Sequence, residues 1–289
     1  MMFQRIRTGW QLTKAALKVL QQDKELILYP LCAAFGILCI IILFFFIAIS
    51  SDIIVSLTTI SLANSARYIF ITLFLLAAYI VSIFFEAAII SATLQRCEGK
   101  NPTFSSGLSL PAKKIISLIL WAMLFTLVTI FIQMIRNLGR GKSRSVQTTS
   151  KISASALETG WHLLSFFVIP AIIIENLSIF KAIQRSKYLF VKTWGENITT
   201  HFTTGALFFV LILLGILPLI SAIVIGNSLL ISITSIVLLI WTIVIILFST
   251  TINGILVALL YIYATDRRIP KKYGITQEII TKQKQNTNE

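Results

Sequence analysis

The sequence predicts an all-α fold, a polytopic transmembrane helical bundle of about six spans with basic amphipathic interfacial helices on the cytoplasmic side. Three observations carry this. Of 289 residues, 56% are apolar and only 12% charged, whereas soluble domains carry roughly a quarter charged residues; mean hydropathy is +0.88. Several apolar runs exceed the ~20 residues that a helix needs to cross a ~30 Å hydrocarbon core. The ten-residue alternation of membrane β-strands is not visible.

Six segments carry the signal, at about 26–49, 68–94, 115–135, 157–174, 205–225 and 229–264. They make residues 1–289 a single integral membrane domain, with cytoplasmic tails at 1–25 and 265–289. The N-terminal stretch "MMFQRIRTGWQLTKAALKVLQQDKE" is not expected to be a signal peptide. Its first apolar run begins only near Leu26, and no small-residue cleavage site follows. The second segment holds one acid, Glu86. The fourth contains Pro170 and closes on Glu175, which has no charge beside it until Lys181 and reads as an interfacial cap. The fifth contains Pro218. Both prolines are expected to kink helices or free backbone carbonyls. The sixth segment would reach about 54 Å as a helix, nearly twice the core. Its apolar run is interrupted in "STTINGI" by Asn253 and Gly254. A kinked helix that leaves the membrane and packs on other protein is expected there, with a short re-entrant pair as the alternative.

Basic residues choose the orientation. An even number of spans puts both termini on one side. Nineteen Lys and Arg fall on the side of the tails, of residues 95–114 and of residues 178–204, against six on the other. The excess makes the first side cytoplasmic. This also accounts for the formal net charge of +14, so no nucleic-acid partner is expected. One loop resists, "RNLGRGKSRSVQTTSK" (Arg136–Lys151), whose Gly, Ser and Thr content reads as flexible. It is taken as an exception to the charge rule; a re-entrant third or fourth segment is the alternative.

A basic amphipathic stretch precedes the first, third and fifth spans. In "RTGWQLTK" and "RSKYLFVK" the offsets Arg7/Arg185, Thr8/Ser186, Trp10/Tyr188 and Lys14/Lys192 match, and "FSSGLSLPAKK" carries Lys113 and Lys114. Such helices suit the headgroup boundary. Three units, each an interfacial helix followed by two spans, would explain the pattern; unrelated juxtamembrane helices are the plainer alternative. Lys181, Arg185, Lys187 and Lys192, with Tyr188 and Trp194 among them, form a basic-aromatic surface. The partner expected for it is the lipid bilayer through its anionic headgroups.

The stretches "GWQLTKAALKVLQQDKELILYP", "EGKNPTFSSGL", "SFFVIPAIIIE", "RSKYLFVKTWGE" and "INGILVALLYIYAT" sample nearly the whole chain in order. At these residues the chain resembles an uncharacterised prokaryotic family of six-span membrane proteins, known only as a domain of unknown function. The resemblance implies a membrane location and six spans, and supplies no reaction, ligand or site residue. The interfacial helices are also similar, more weakly, to the membrane domains of some glycerophosphodiesterases. After "YAT" the family tends to an acidic turn, whereas this chain continues Asp266-Arg267-Arg268.

Glu86 is the residue that the spans do not explain, because a charge at bilayer depth is costly and marks a functional candidate. Ala78, Ser82, Glu86 and Thr93 share one helix face, a small and polar one suited to close packing and to bonds across helices. A neutral carboxylic acid bonded to a neighbouring helix competes there with a proton or cation site. Asn253, like Gln133, is expected to bond between helices. The candidate intramembrane polar site is therefore Glu86, Ser82 and Asn253.

Signatures of enzymes are not found. The histidines His162 and His201 stand in no HExxH pattern, GxSxG is missing, and "GRGKS" lacks the spacing of a phosphate loop. Trp161 and His162 read as part of an interfacial belt. Cys32, Cys39 and Cys97 are unclustered and argue neither for disulfides nor for a metal. No catalytic residue, cofactor or metal is expected. The expectation is a multi-pass protein of the prokaryotic cytoplasmic (inner) membrane, acting as a permease-like factor for a small solute, ion or lipid. The alternative is a non-transporting membrane scaffold that meets partners on its basic face.

Overall fold

The computed structural model describes residues 2–50, 65–138, 144–192 and 194–265, with no strand among them. The helices are α1 (Met2–Gln22), α2 (Leu28–Ser50), α3 (Ser65–Cys97), α4 (Phe104–Lys113), α5 (Ile115–Asn137), α6 (Arg144–Ser165), α7 (Val168–Ile174), α8 (Ile179–Lys192), α9 (Trp194–Ile225) and α10 (Ser228–Ala264); a 3-10 turn at Lys24–Ile27 joins α1 to α2. Six stretches are long and apolar enough to cross a membrane: Lys24–Ser50, Tyr68–Cys97, Ile115–Asn137, Ser145–Ile174, Gly205–Ile225 and Ser228–Ala264. The all-α membrane architecture is the one the sequence predicts. Amphipathic α1, α4 and α8 each precede a pair of long segments, the order that three repeated units require. Of the matched offsets, the Arg7, Thr8 and Trp10 side chains lie outside the described residues.

The chain folds as two compact units that interleave in sequence. One comprises Met1–Pro30, Ala92–Phe104 and Val191–Glu289; the other comprises Leu31–Ser91 and Ser105–Phe190.

In the first unit α1 packs against α9 and α10. Leu12, Ala15, Ala16, Val19 and Leu20 form its buried stripe, while Lys14 and Lys18 face outward. The 3-10 turn is tied to residues 96–104 by three side chains. Asp23, 8% exposed, pairs with Arg96 at 2.8 Å. Glu25 accepts the Phe104 N–H at 2.9 Å, supplying the cap that the N-terminus of α4 needs. The Tyr29 hydroxyl donates to the Phe104 carbonyl at 3.0 Å while the two rings stack, centroids 5.0 Å apart. The turn between α9 and α10 uses Gly226 at φ +75°, a left-handed C-terminal position. Asn227 then caps α10 by accepting from Leu229 and Leu230.

Helix α10 runs uninterrupted through Asn253 and Gly254, so no re-entrant pair forms. Its excess length is absorbed by protein, since residues from Thr251 to Ala264 are buried almost without exception and α1 lies against the helix. The N-terminal half instead shows large apolar side chains such as Ile236, Leu239 and Ile240, each more than half exposed.

In the second unit α2 meets α3 through Phe44, which contacts Phe70 and Phe74, and through Gly36, where an added Cβ would lie 3.0 Å from Val81. Helix α5 packs on α6 and α7. Here the structure departs from the sequence reading in three places. The flexible loop expected at 136–151 is mostly helical: Arg136 ends α5 and Arg144–Lys151 opens α6. Only 139–143 lie outside the described residues. Hydroxyls in the polar turns bond back onto the helix, Thr149 to the Ser145 carbonyl at 3.0 Å and Thr159 to that of Ser155 at 2.9 Å, so their polarity is met within the helix. The helix also breaks at Phe166-Phe167, and α7 begins afresh at Val168. Pro170 therefore sits in a first turn, where a missing N–H costs nothing, and does not kink a continuous span.

Candidate functional site

Helix α3 carries Glu86 on the same face as Tyr79, Ser82, Ile83 and Ile90. Ile83 and Ile90 are buried, and Glu86 itself is half-buried. The Tyr79 ring stacks on Phe125 of α5, centroids 4.7 Å apart, and its hydroxyl lies within electrostatic reach of the Glu86 carboxylate. Glu86 thus lies on the α3 face that Tyr79 directs toward α5. Phe125 continues into a cluster with Trp121 and Trp161, and the His162 ring lies 5.7 Å from it. Trp161 is part of that ring cluster, and its indole N–H is buried with no hydrogen-bond partner among the described residues.

The other two members of the expected polar site are occupied locally. Ser82 donates to the Ala78 carbonyl in its own helix at 2.9 Å. Asn253 does not bond between helices: its amide reaches Ser249, one turn back in α10, at 3.5 Å. Ser82 and Glu86 lie one turn apart in the second unit, while Asn253 belongs to the first.

Among the acids whose side chains are described, each of the others has a polar partner. Asp23 pairs with Arg96, Glu25 caps Phe104, Glu98 meets Lys100 at 2.8 Å, Glu158 pairs with Arg136, and Glu175 receives Arg185. Glu86 stands alone among them, with neither an ion pair nor a hydrogen bond to its carboxylate. The expected bond to a neighbouring helix is not seen.

The basic-aromatic surface is also redistributed. Arg185 turns inward and grips Glu175 with two nitrogens, at 3.0 to 3.2 Å. Glu175 is therefore an ion-paired helix end and not a lone interfacial cap. Lys192 donates to the Ala264 carbonyl at 3.0 Å, closing the C-terminus of α10. Lys181 and Lys187 remain on the exposed side of α8. Trp194 opens α9, and its side chain lies outside the described residues.

Three linkages could not be nominated from the sequence. Buried Ser186 of α8 accepts the Phe167 N–H at 2.9 Å, satisfying the donor freed by the α6–α7 break. Lys114 bonds Asn176, which turns the chain after α7 with φ at 55°. Arg136 and Glu158 join α5 to α6. Opposite charges at the helix ends were the available signal, but nothing local assigns partners among them.

Apolar helices long enough to cross a bilayer, edged by amphipathic helices and stitched by ion pairs at their ends, define a helical membrane protein. The chain belongs to a family of unknown function, DUF6159, whose model matches residues 65–270. That agrees with the resemblance drawn from the sequence. No curated protein matches the chain, and the weaker similarity to glycerophosphodiesterase membrane domains finds no support.

Proposed function

We propose that the protein is a non-enzymatic, permease-like membrane factor for a small solute, ion or lipid, with Glu86 as its polar centre. The observation that carries this is the contrast among the acids. Five have partners, whereas Glu86, the one placed deep within an apolar span, has none among the described residues. An unpaired carboxyl in such a place costs free energy that nothing packed around it returns. A transient partner, such as a proton or a passing cation, gives the residue a reason to be there. The broken segment α6–α7 accords with this, because discontinuous helices recur in transporters. The distribution of Lys and Arg supports a cytoplasmic membrane setting with both termini inside.

The test is pH-dependent flux in proteoliposomes, with Glu86→Gln beside the natural chain. Loss of that flux in the variant, at equal reconstitution, supports the proposal; equal flux in both, or none in either, returns Glu86 to a packing role. A membrane scaffold with a basic face is the second reading, favoured by the exposed Lys181 and Lys187.

A further inference from the structure

We infer that α8 is a leaflet-inserted helix, with Phe180, Tyr188 and Val191 entering the acyl boundary of an anionic leaflet while Lys181 and Lys187 meet the headgroup phosphates on opposite flanks. The inference rests on the chain being a membrane protein and is independent of Glu86.

Helix α8 has 14 residues, about 21 Å, too short to cross, and it carries four cations that a crossing would have to desolvate. Its inner face is used. Ala182, Ser186, Leu189 and Phe190 are buried, Ser186 closes the α6–α7 break, and the Phe190 ring lies 6.0 Å from Phe166. The outer face is not polar, as a helix facing water would be. Phe180, Tyr188 and Val191 are 76%, 62% and 68% exposed. With 3.6 residues per turn they fall, together with Gln184, within an arc of about 80°. Lys187 borders one edge of this strip and Lys181 the other.

An apolar strip with a lysine on each flank is the arrangement of a helix lying in the headgroup plane, where long basic side chains reach outward from a buried stem. The absence of any acid in "IFKAIQRSKYLFVK" matches an anionic leaflet better than a protein surface of mixed charge. Arg185 contributes little to headgroup binding, because Glu175 already neutralises it, whereas Lys192, tied to the Ala264 carbonyl, keeps its charge.

The experiment uses the full chain in nanodiscs, with the native cysteines replaced and an environment-sensitive fluorophore on Phe180→Cys or, separately, Gln184→Cys. The expected result is strong quenching by lipids bearing a nitroxide high on the acyl chain, with protection from aqueous iodide. Lys181→Gln and Lys187→Gln should each lower the enrichment of anionic over zwitterionic lipid around the label, by about fivefold per lysine. Arg185→Gln should not lower it comparably. Quenching by iodide in lipid alone, which a protein-docking face would show, overturns the inference. So does enrichment indifferent to both lysines. Neither outcome bears on flux through Glu86.

Discussion

Gly215 lies beneath the indole of Trp241, whose N–H donates to the Leu211 carbonyl at 2.9 Å. A Cβ at Gly215 would stand 2.6 Å from Trp241 Nε1, so even alanine must displace the ring and strain that bond. Close approach at a small residue is how membrane helices gain packing, since lipid offers no hydrophobic drive between them. Gly215→Ala should therefore lose about 1 to 3 kcal/mol, as overpacked cores do. The expected readouts are a lower melting temperature in nanodiscs and a shifted tryptophan emission; if neither moves, the contact is slack. Glu86 was legible at this scale because one acid in an apolar run is conspicuous in sequence alone. Its isolation was not legible, because a carboxylate's partners are set by residues far along the chain. The cap from Glu25 to Phe104 spans 79 residues, and no local pattern couples its ends.

At the scale of elements, the segment from Arg144 to Ile174 differs most from expectation. Hydropathy averaged over a span locates its apolar part and misses the polar turns before it, which are helical with their hydroxyls folded back on backbone carbonyls. Pro170 suggested a kink, yet the break falls at Phe166-Phe167. What stabilises the break is Ser186, a residue of a different helix. Its hydroxyl, wholly buried, satisfies the Phe167 N–H. Ser186→Ala leaves that donor buried and unpaired, at a cost of about 1 to 3 kcal/mol. The cost should appear locally, as faster amide hydrogen exchange across the residues of the break, with exchange in α9 and α10 unchanged. If exchange at the break keeps its natural rate, water or another acceptor serves it and Ser186 is a packing residue only. The long α10 illustrates the opposite case. Its length predicted that protein must cover one end, and the buried stretch from Thr251 to Ala264 supplies that cover.

For the whole molecule, the number of segments long and apolar enough to cross was readable because each sums apolar transfer over some twenty residues, a signal that single polar residues do not erase. The orientation rests on charge alone. Most Lys and Arg gather on the side assigned to the tails, and the basic stretch around Arg136–Lys151 is the conflict. Arg136 pairs with Glu158 and Lys151 lies in a helix, but the bias counts Lys and Arg with little regard to nearby acids, so the conflict is one for experiment. With alternating spans, Ser145, exposed at the start of α6, should lie outside. A Ser145→Cys variant without the native cysteines should react with a membrane-impermeant maleimide in intact cells. Ser109→Cys, exposed on α4, should react only after lysis. Labelling of both from outside would break the alternation of spans, and protection of both would place the Arg136–Lys151 end on the side of the tails and make the third segment re-entrant.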